Sequence, residues 1–152
     1  MTEQPAFPPM SPIRVDRDGH WAWEGQPMVH DGILVYLKQH LERDPEGQYW
    51  IAVGPSRVPV IVEDAPFVVE TLASNPARLV LDDTSEEPVG ALLALASTAD
   101  NRLYARVKGG RDRALLSRKA HHQIWDALQE DAAGRLWLEL GGQRLSVSLD
   151  PL

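Results

Sequence analysis

The chain has 152 residues, 43% hydrophobic and 24% charged, with a net charge of −7 and no cysteine. That length can bury a core, as one domain or two small ones, and the composition excludes disulfides, thiolate nucleophiles and sulfur-held metals. The acidic balance opposes general binding to nucleic acid or an anionic membrane, and the longest apolar stretch, Val89–Ala96, is too short to span a bilayer.

The first segment, Met1–Pro12, carries Pro5, Pro8, Pro9 and Pro12 and lacks the basic and apolar regions of a signal peptide. It reads as a loose arm, and a cytoplasmic location is expected. Ile13–Val15 and Trp21–Trp23 read as strands around the Asp18-Gly19 turn. A helix is expected from Asp31-Gly32 to Arg43, with Leu34, Leu37 and Leu41 as its apolar stripe. Asp44–Gly47 ends it, and Tyr49–Val53 and Arg57–Val62 form a hairpin across Gly54-Pro55-Ser56. Phe67–Leu72 and Arg78–Leu81 read as strands around Ser74-Asn75-Pro76, followed by an acidic loop, Asp82–Pro88. Gly90–Ala96 is apolar and open between helix and strand, its Ala and Leu favouring helix, with strand the preferred reading; Leu103–Val107 reads as a strand and Ala114–Leu116 as a brief extended piece. Ser117 is a good N-cap for a helix to Glu130. A last hairpin, Arg135–Leu140 with Arg144–Leu149, turns at Gly141-Gly142.

The chain also repeats itself. At an offset of 87, Leu41–Glu63 lies on Leu128–Asp150 without a gap, matching Asp44 with Asp131, Gly47 with Gly134, Trp50 with Trp137 and Arg57 with Arg144. Upstream of the helices the match weakens, and Trp21 is paired with Tyr104. A duplicated unit implies two similar halves with a cleft between them. The expected fold is therefore α+β, each half a strand, one helix and a β-hairpin. Its parts are an arm at 1–12, an N-terminal half at 13–75 and a C-terminal half at 76–152, with antiparallel pairing between neighbouring strands.

Val62-Glu-Asp-Ala-Pro-Phe67, with Asp18-Gly-His-Trp21 and Gly25-Gln-Pro-Met28 upstream, resembles the bacterial domain-of-unknown-function family 1285. Tyr104 in its strand, Arg113-Ala-Leu-Leu-Ser-Arg118, the helix with Trp125, and Gly134–Leu149 resemble the same family. The resemblance implies a duplicated core, a C-terminal half like a pleckstrin-homology fold, and a ligand site between the halves. It implies a nucleotide-like ligand, a role in signalling and no established enzymatic activity. The chain departs from the family pattern at His30, where a basic residue is expected, and at the hairpin loop Gly54–Arg57.

Arg102–Lys119 holds seven basic residues against the single acid Asp112, a local basic face on an acidic protein. That pattern suits a small anion, or else a solvated face with charged strand edges. Ser117-Arg118-Lys119 opens a helix, where free N–H groups and basic side chains attract phosphate; the plainer reading is an ordinary cap. Glu63 and Asp64 point to opposite faces of a strand, so they do not form an acid/base pair. Asp64 before Pro66 suits a turn-forming role, while either carboxylate could accept from ribose hydroxyls or pair with Arg113 or Arg118. Phe67 suits the core or stacking on a base. Tyr104, Arg106, Trp23 and His30 complete the candidate ligand-binding set. Trp50 and Trp137 are expected in the core.

The five histidines show no metal-ligand spacing, and no Gly-x-Ser-x-Gly elbow or phosphate-binding glycine pattern is present. No metal and no cofactor are expected. The first expectation is a non-enzymatic sensor of a small anionic, nucleotide-like ligand bound between the halves. The alternative is an adaptor docking an acidic protein partner through the basic stretch. A homodimer is compatible with either.

Overall fold

The computed structural model describes residues 11–152; residues 1–10 of the Pro-rich arm lie outside them. The chain divides into two compact units, one ending at Asp64 and the other spanning Ala65–Leu152. The boundary expected at Ser74–Pro76 is instead the turn of a hairpin inside the second unit.

The first unit runs β1 (Ile13–Val15), β2 (Trp21–Trp23), β3 (Gln26–Pro27), α1 (Asp31–Gln39), β4 (Leu41–Arg43), β5 (Tyr49–Val53) and β6 (Ser56–Val62). They form one sheet in the order β3-β2-β1-β6-β5-β4. β1 and β6 are parallel, with Ile13 opposite Val60. Alternate residues of these strands, Ile13, Val15, Trp21, Ile51, Val58 and Val60, make the core, and Leu34 and Leu37 of α1 pack against it.

The second unit runs β7 (Phe67–Ala73), β8 (Arg78–Leu81), β9 (Glu86–Pro88), β10 (Leu92–Ser97), β11 (Leu103–Val107) and β12 (Asp112–Leu116). It continues through α2 (Arg118–Ala127), β13 (Gln129–Glu130), β14 (Leu136–Leu140) and β15 (Gln143–Pro151). Its sheet order is β13-β14-β15-β10-β11-β12-β7-β8-β9. The first six strands of that order repeat the first unit's sheet, and β7, β8 and β9 are an addition on β12.

The repeat is exact in register. Trp50 faces Pro59 and Ile51 faces Val58; at the offset of 87, Trp137 faces Ser146 and Leu138 faces Leu145. His30 caps α1 where Ser117 caps α2. Upstream the offset shrinks because the turns differ in length. Val15 faces Trp21 and Leu95 faces Ala105, so Trp21 corresponds to Ala105 and not to Tyr104.

Three expectations are corrected. The fold is mostly β: strand takes 48% and helix 13% of the described residues, in two large mixed sheets, not a balanced α+β fold of strand, helix and hairpin in each half. The pleckstrin-homology-like C-terminal half goes with that class, because the second unit is one nine-stranded sheet with α2 inserted between β12 and β13. Strands consecutive in the chain that pair do so antiparallel, as expected, while β1·β6, β10·β15 and β7·β12, distant in sequence, are parallel. Both helices also end earlier than their apolar stripes. Leu41 leaves α1 to pair with Ile51, and Gln129 and Glu130 pair with β14, so sheet partners override helical periodicity at those ends.

The nine-stranded sheet bends round α2. The β14–β15 turn there reaches the β7–β8 turn. A Cβ built on Gly141, whose φ is +59°, would lie 2.4 Å from Ser74 Cβ, and Ala77 N donates to Gln143 Oε1 at 3.3 Å.

Candidate functional site

α2 is held at its start by one residue. Ser117 N donates to Val69 O at 2.9 Å, and Ser117 Oγ accepts from Ala120 N at 3.0 Å and donates to Glu70 O at 2.8 Å. The cap therefore satisfies an orphan amide of the first turn and ties the helix to β7. Further along, Gln123 Oε1 accepts from Leu72 N at 2.9 Å, and Gln123 Nε2 donates to Leu72 O at 3.1 Å. With Ala120 and Ile124 buried below, the opposite face presents Arg118, His121, His122 and Trp125, spaced three, four and seven residues along the helix.

That face forms one wall of a cavity of about 450 Å³. Leu115 and Leu116 form its floor, and Asn101 and Arg102 of the β10–β11 turn its far side, with Asp126 also on the lining. The size suits a drug-sized molecule. Hydrogen bonds close the turn: Thr98 N donates to Arg102 O at 3.0 Å, Arg102 N to Thr98 Oγ1 at 3.1 Å, and Thr98 Oγ1 to Asp100. Arg102 Nε donates to Tyr104 OH at 3.0 Å. Trp125 is 46% exposed, a flat apolar surface beside His121, whose ring centre is 6.1 Å away. Burial, and then the neighbouring His122, push the His121 pKa below its usual value, so that imidazole is neutral at pH 7. Cationic charge in the cavity comes from Arg102 and Arg118, with Asp126 the acid on its lining.

The remaining candidates are spread over both units. In the second, Tyr104 is buried, with the Arg113 and Arg102 guanidiniums 5.0 and 5.9 Å from its ring centre. Arg106 faces Arg113 across β11·β12, is exposed, and donates from Nη1 to Gly110 O at 3.2 Å. Phe67 is buried under Lys108, whose Nζ lies 4.9 Å from the ring centre. Lys108 Nζ also donates to Asp83 Oδ2 at 2.6 Å and to Ser85 Oγ at 3.0 Å, and its amide donates to Glu87 Oε2 at 2.7 Å. Burial raises the Asp83 carboxyl, but hydrogen bonds from Lys108 and Ser85 outweigh it and leave the pKa below its ordinary value. The acidic loop Asp82–Pro88 is thus partly a built structure, with Asp82 and Asp83 buried and β9 at its end.

In the first unit, His30 Nδ1 accepts from Ile33 N at 3.2 Å as the cap of α1. Trp23 is exposed and donates from Nε1 to Ser11 O at 3.1 Å. Asp64 is half-buried at the unit's end. Glu63 lines a second cavity, about 570 Å³, with Arg14, Asp16, His20, Trp21 and Ile61. Trp21 Nε1 is buried and has no hydrogen-bond partner among the described residues.

Asp16, Asp18 and His20 bring ligand atoms within 4.8 Å of one another. A turn accounts for that cluster. Asp16 Oδ1 accepts from Asp18 N and His20 N, as Asp44 Oδ1 accepts from Glu46 N and Gln48 N and Asp131 Oδ1 from Ala133 N and Arg135 N. Thr98 serves the matching turn of the second unit with a hydroxyl. The carboxylates are turn formers.

The sequence reading includes Arg118 but misses Arg102, His121, His122, Trp125 and Asp126 as cavity residues. The signal was available: Arg118, His121, His122 and Trp125 stand at one-face helical spacing beside the N-cap.

The model of the DUF2944 family, described as "Protein of unknown function (DUF2946)", matches residues 12–148. The chain belongs to that family. Among solved structures it is similar to a DUF1285 family protein from Silicibacter pomeroyi DSS-3, at a TM-score of 0.67 and 20% identity over 95% of this chain and 84% of that one. It is also similar to a DUF1285 family protein from Shewanella baltica OS155, at a TM-score of 0.57 and 15% identity over 76% of this chain and 91% of that one. These likenesses place the fold among DUF1285 proteins. No curated protein matches the sequence. Among the described residues, no helix is long and apolar enough to cross a membrane.

Proposed function

We propose that this family member is a non-enzymatic sensor that binds a small anion carrying a flat ring, of the nucleotide class, in the α2 cavity. One observation carries the reading: Arg118, His121, His122 and Trp125 share one face of α2 beside a cavity of about 450 Å³ whose far wall supplies Arg102. Arg118 and the amides of the first turn of α2 hold the anion, where the helix dipole and the guanidinium act together. Trp125 stacks on the ring, and neutral His121 offers one donor and one acceptor to its edge.

A thermal-shift series with nucleotides, cyclic dinucleotides and inorganic phosphate tests it. A ligand at about 100 times its dissociation constant stabilises the fold by about 2.7 kcal/mol. Arg118→Ala is expected to weaken binding by about 1–3 kcal/mol, and Trp125→Ala to remove the preference for ringed ligands over phosphate. No shift with any of these compounds overturns the reading, as does a shift that both variants retain in full.

A further inference from the structure

We infer that the first unit carries an open strand-docking slot, formed by the edge of β3 and the outer face of α1, that accepts an extended apolar segment of a partner protein flanked by basic residues. The second unit shows what this surface is built to hold. There β7 pairs in parallel with β12, Phe67 opposite Ala114 and Val69 opposite Leu116, and then runs on past α2, where Ser117 and Gln123 hold its backbone. Under β7, Leu116 is 4% exposed and Ala120 is fully buried.

The matching positions of the first unit are uncovered. Met28 N donates to Trp21 O at 2.9 Å, continuing the line of β3 as Ala114 continues that of β12. Val29, which stands where Leu115–Leu116 stand, is 80% exposed. Ile33, in the place of Ala120, is 51% exposed, and Tyr36, in the place of Gln123, is 47% exposed. Among the described residues β3 ends its sheet, so the outward Pro27 carbonyl, which has no N–H beside it, and the Val29 backbone beyond it meet no further strand. A strand added there would satisfy them and cover the three apolar side chains at once.

Charge selects the occupant. In the second unit the residue after β11 is Lys108, at φ 57°, with Phe67 at the start of β7 under its ammonium, and the Glu70 carbonyl near the middle of β7 accepts from the Ser117 hydroxyl beside Arg118. The residue after β2, at the same place and at φ 50°, is Glu24. The first residue of α2 is Arg118, and the first of α1 is Asp31. Both positions have inverted sign. The acidic β7–β9 segment of a second copy is therefore repelled, and a segment with lysine or arginine at its start and near its middle is attracted.

The test is a fluorescence-polarisation titration of the full chain with two labelled peptides. One copies residues 63–73; the other carries Glu63→Lys, Asp64→Lys and Glu70→Lys in the same frame. The basic peptide is expected to bind about tenfold or more tightly than the acidic one, a difference worth about 1.4 kcal/mol. Ile33→Asp is expected to abolish binding with the melting curve unchanged. Glu24→Lys combined with Asp31→Lys, both exposed, is expected to reverse the order of the two peptides. The inference is overturned if the wild-type chain binds neither peptide, or if the reversed-charge variant keeps the original order. It is overturned equally if sedimentation shows a dimer that Ile33→Asp dissociates, since a second copy would then fill the face. Arg118 and the α2 cavity lie in the other unit, so this outcome is read independently of ligand binding.

Discussion

α1 and α2 occupy the same place in their repeats, yet α2 buries Ala120 and Ile124 while α1 buries none of its residues. The backbone paths match strand for strand, so the difference comes from what is added. The second unit has β7, β8 and β9 along β12, and side chains rebuilt to receive them: alanine at 120, an amide at 123, a lysine at 108. The first unit keeps Ile33 and Tyr36 exposed at two of those positions and Glu24 at the third. A duplicated frame thus fixes register and capping, whereas the covering strands decide which helix face is dry and which is available. Where α2 is clamped from one side by β7, its other side is free to shape a cavity.

The largest expected contrast lies at the paired hairpin turns. Gly141→Ala meets Ser74 as well as a φ of +59° and is expected to cost about 2–5 kcal/mol. Gly54→Ala, at φ +57° with nothing within 4 Å, is expected to cost only about 1 kcal/mol. Urea denaturation separates them, and equal losses would show that the β14–β15 and β7–β8 turns do not lean on each other. Next is the residue after the second strand of each repeat. Lys108→Ala leaves Asp83, 5% exposed at its side chain, without its cation, and is expected to cost about 2–3 kcal/mol. Glu24→Ala is expected to stay within about 0.5 kcal/mol. Because Asp83 titrates below its ordinary value in the fold, the stability it contributes is present above the unfolded pKa and is lost as pH falls through the folded one. Lys108→Ala should flatten that acid limb.

The caps differ less. Ser117→Ala removes a bond to Ala120 and another to Glu70 and is expected to cost about 1–2 kcal/mol. His30→Ala removes one bond of 3.2 Å and is expected to cost about 0.5–1 kcal/mol. A loss at His30 equal to that at Ser117 would sink the claim that the β7 contact makes the difference. The smallest effect is a titration. Asp44 sits below its usual pKa first because Trp50 Nε1 donates to it at 2.9 Å, whereas Asp131 does so chiefly through the Arg135 amide. In an NMR carboxylate titration, Trp50→Phe is expected to move Asp44 back up towards the ordinary carboxylate range, and Trp137→Phe to leave Asp131 in place.

The closing hairpin of each unit was legible in the sequence because its information is local. The Asp-x-x-Gly turns, alternating apolar residues and matched Trp and Arg positions all agree over a short span, and Arg57 and Arg144 lie over Trp50 and Trp137, at 4.6 and 3.9 Å. The class of the fold was not. Strands of two or three residues, such as β3 and β13, carry no periodic signal, and the parallel pairs join residues far apart in sequence. Leu41 and Leu128 continue a helical stripe beyond the helices, so the helices read too long and the sheet too small. At the cavity, the histidines are read by metal-ligand spacing alone, which hides the shared face that places His121 and His122 with Arg118 and Trp125.

Each parallel pair ties an early strand to a late one: Ile13 to Val60, Phe67 to Ala114, Leu92 to Ser146. During synthesis these opening strands emerge long before their partners. β10 in particular waits, with apolar Leu93 and Leu95, until β15 has left the ribosome. Native folding of the second unit is thus gated by the emergence of β15. A stop codon ahead of β15 would leave an unpaired apolar strand exposed to chaperones and proteases, not a shortened but serviceable protein.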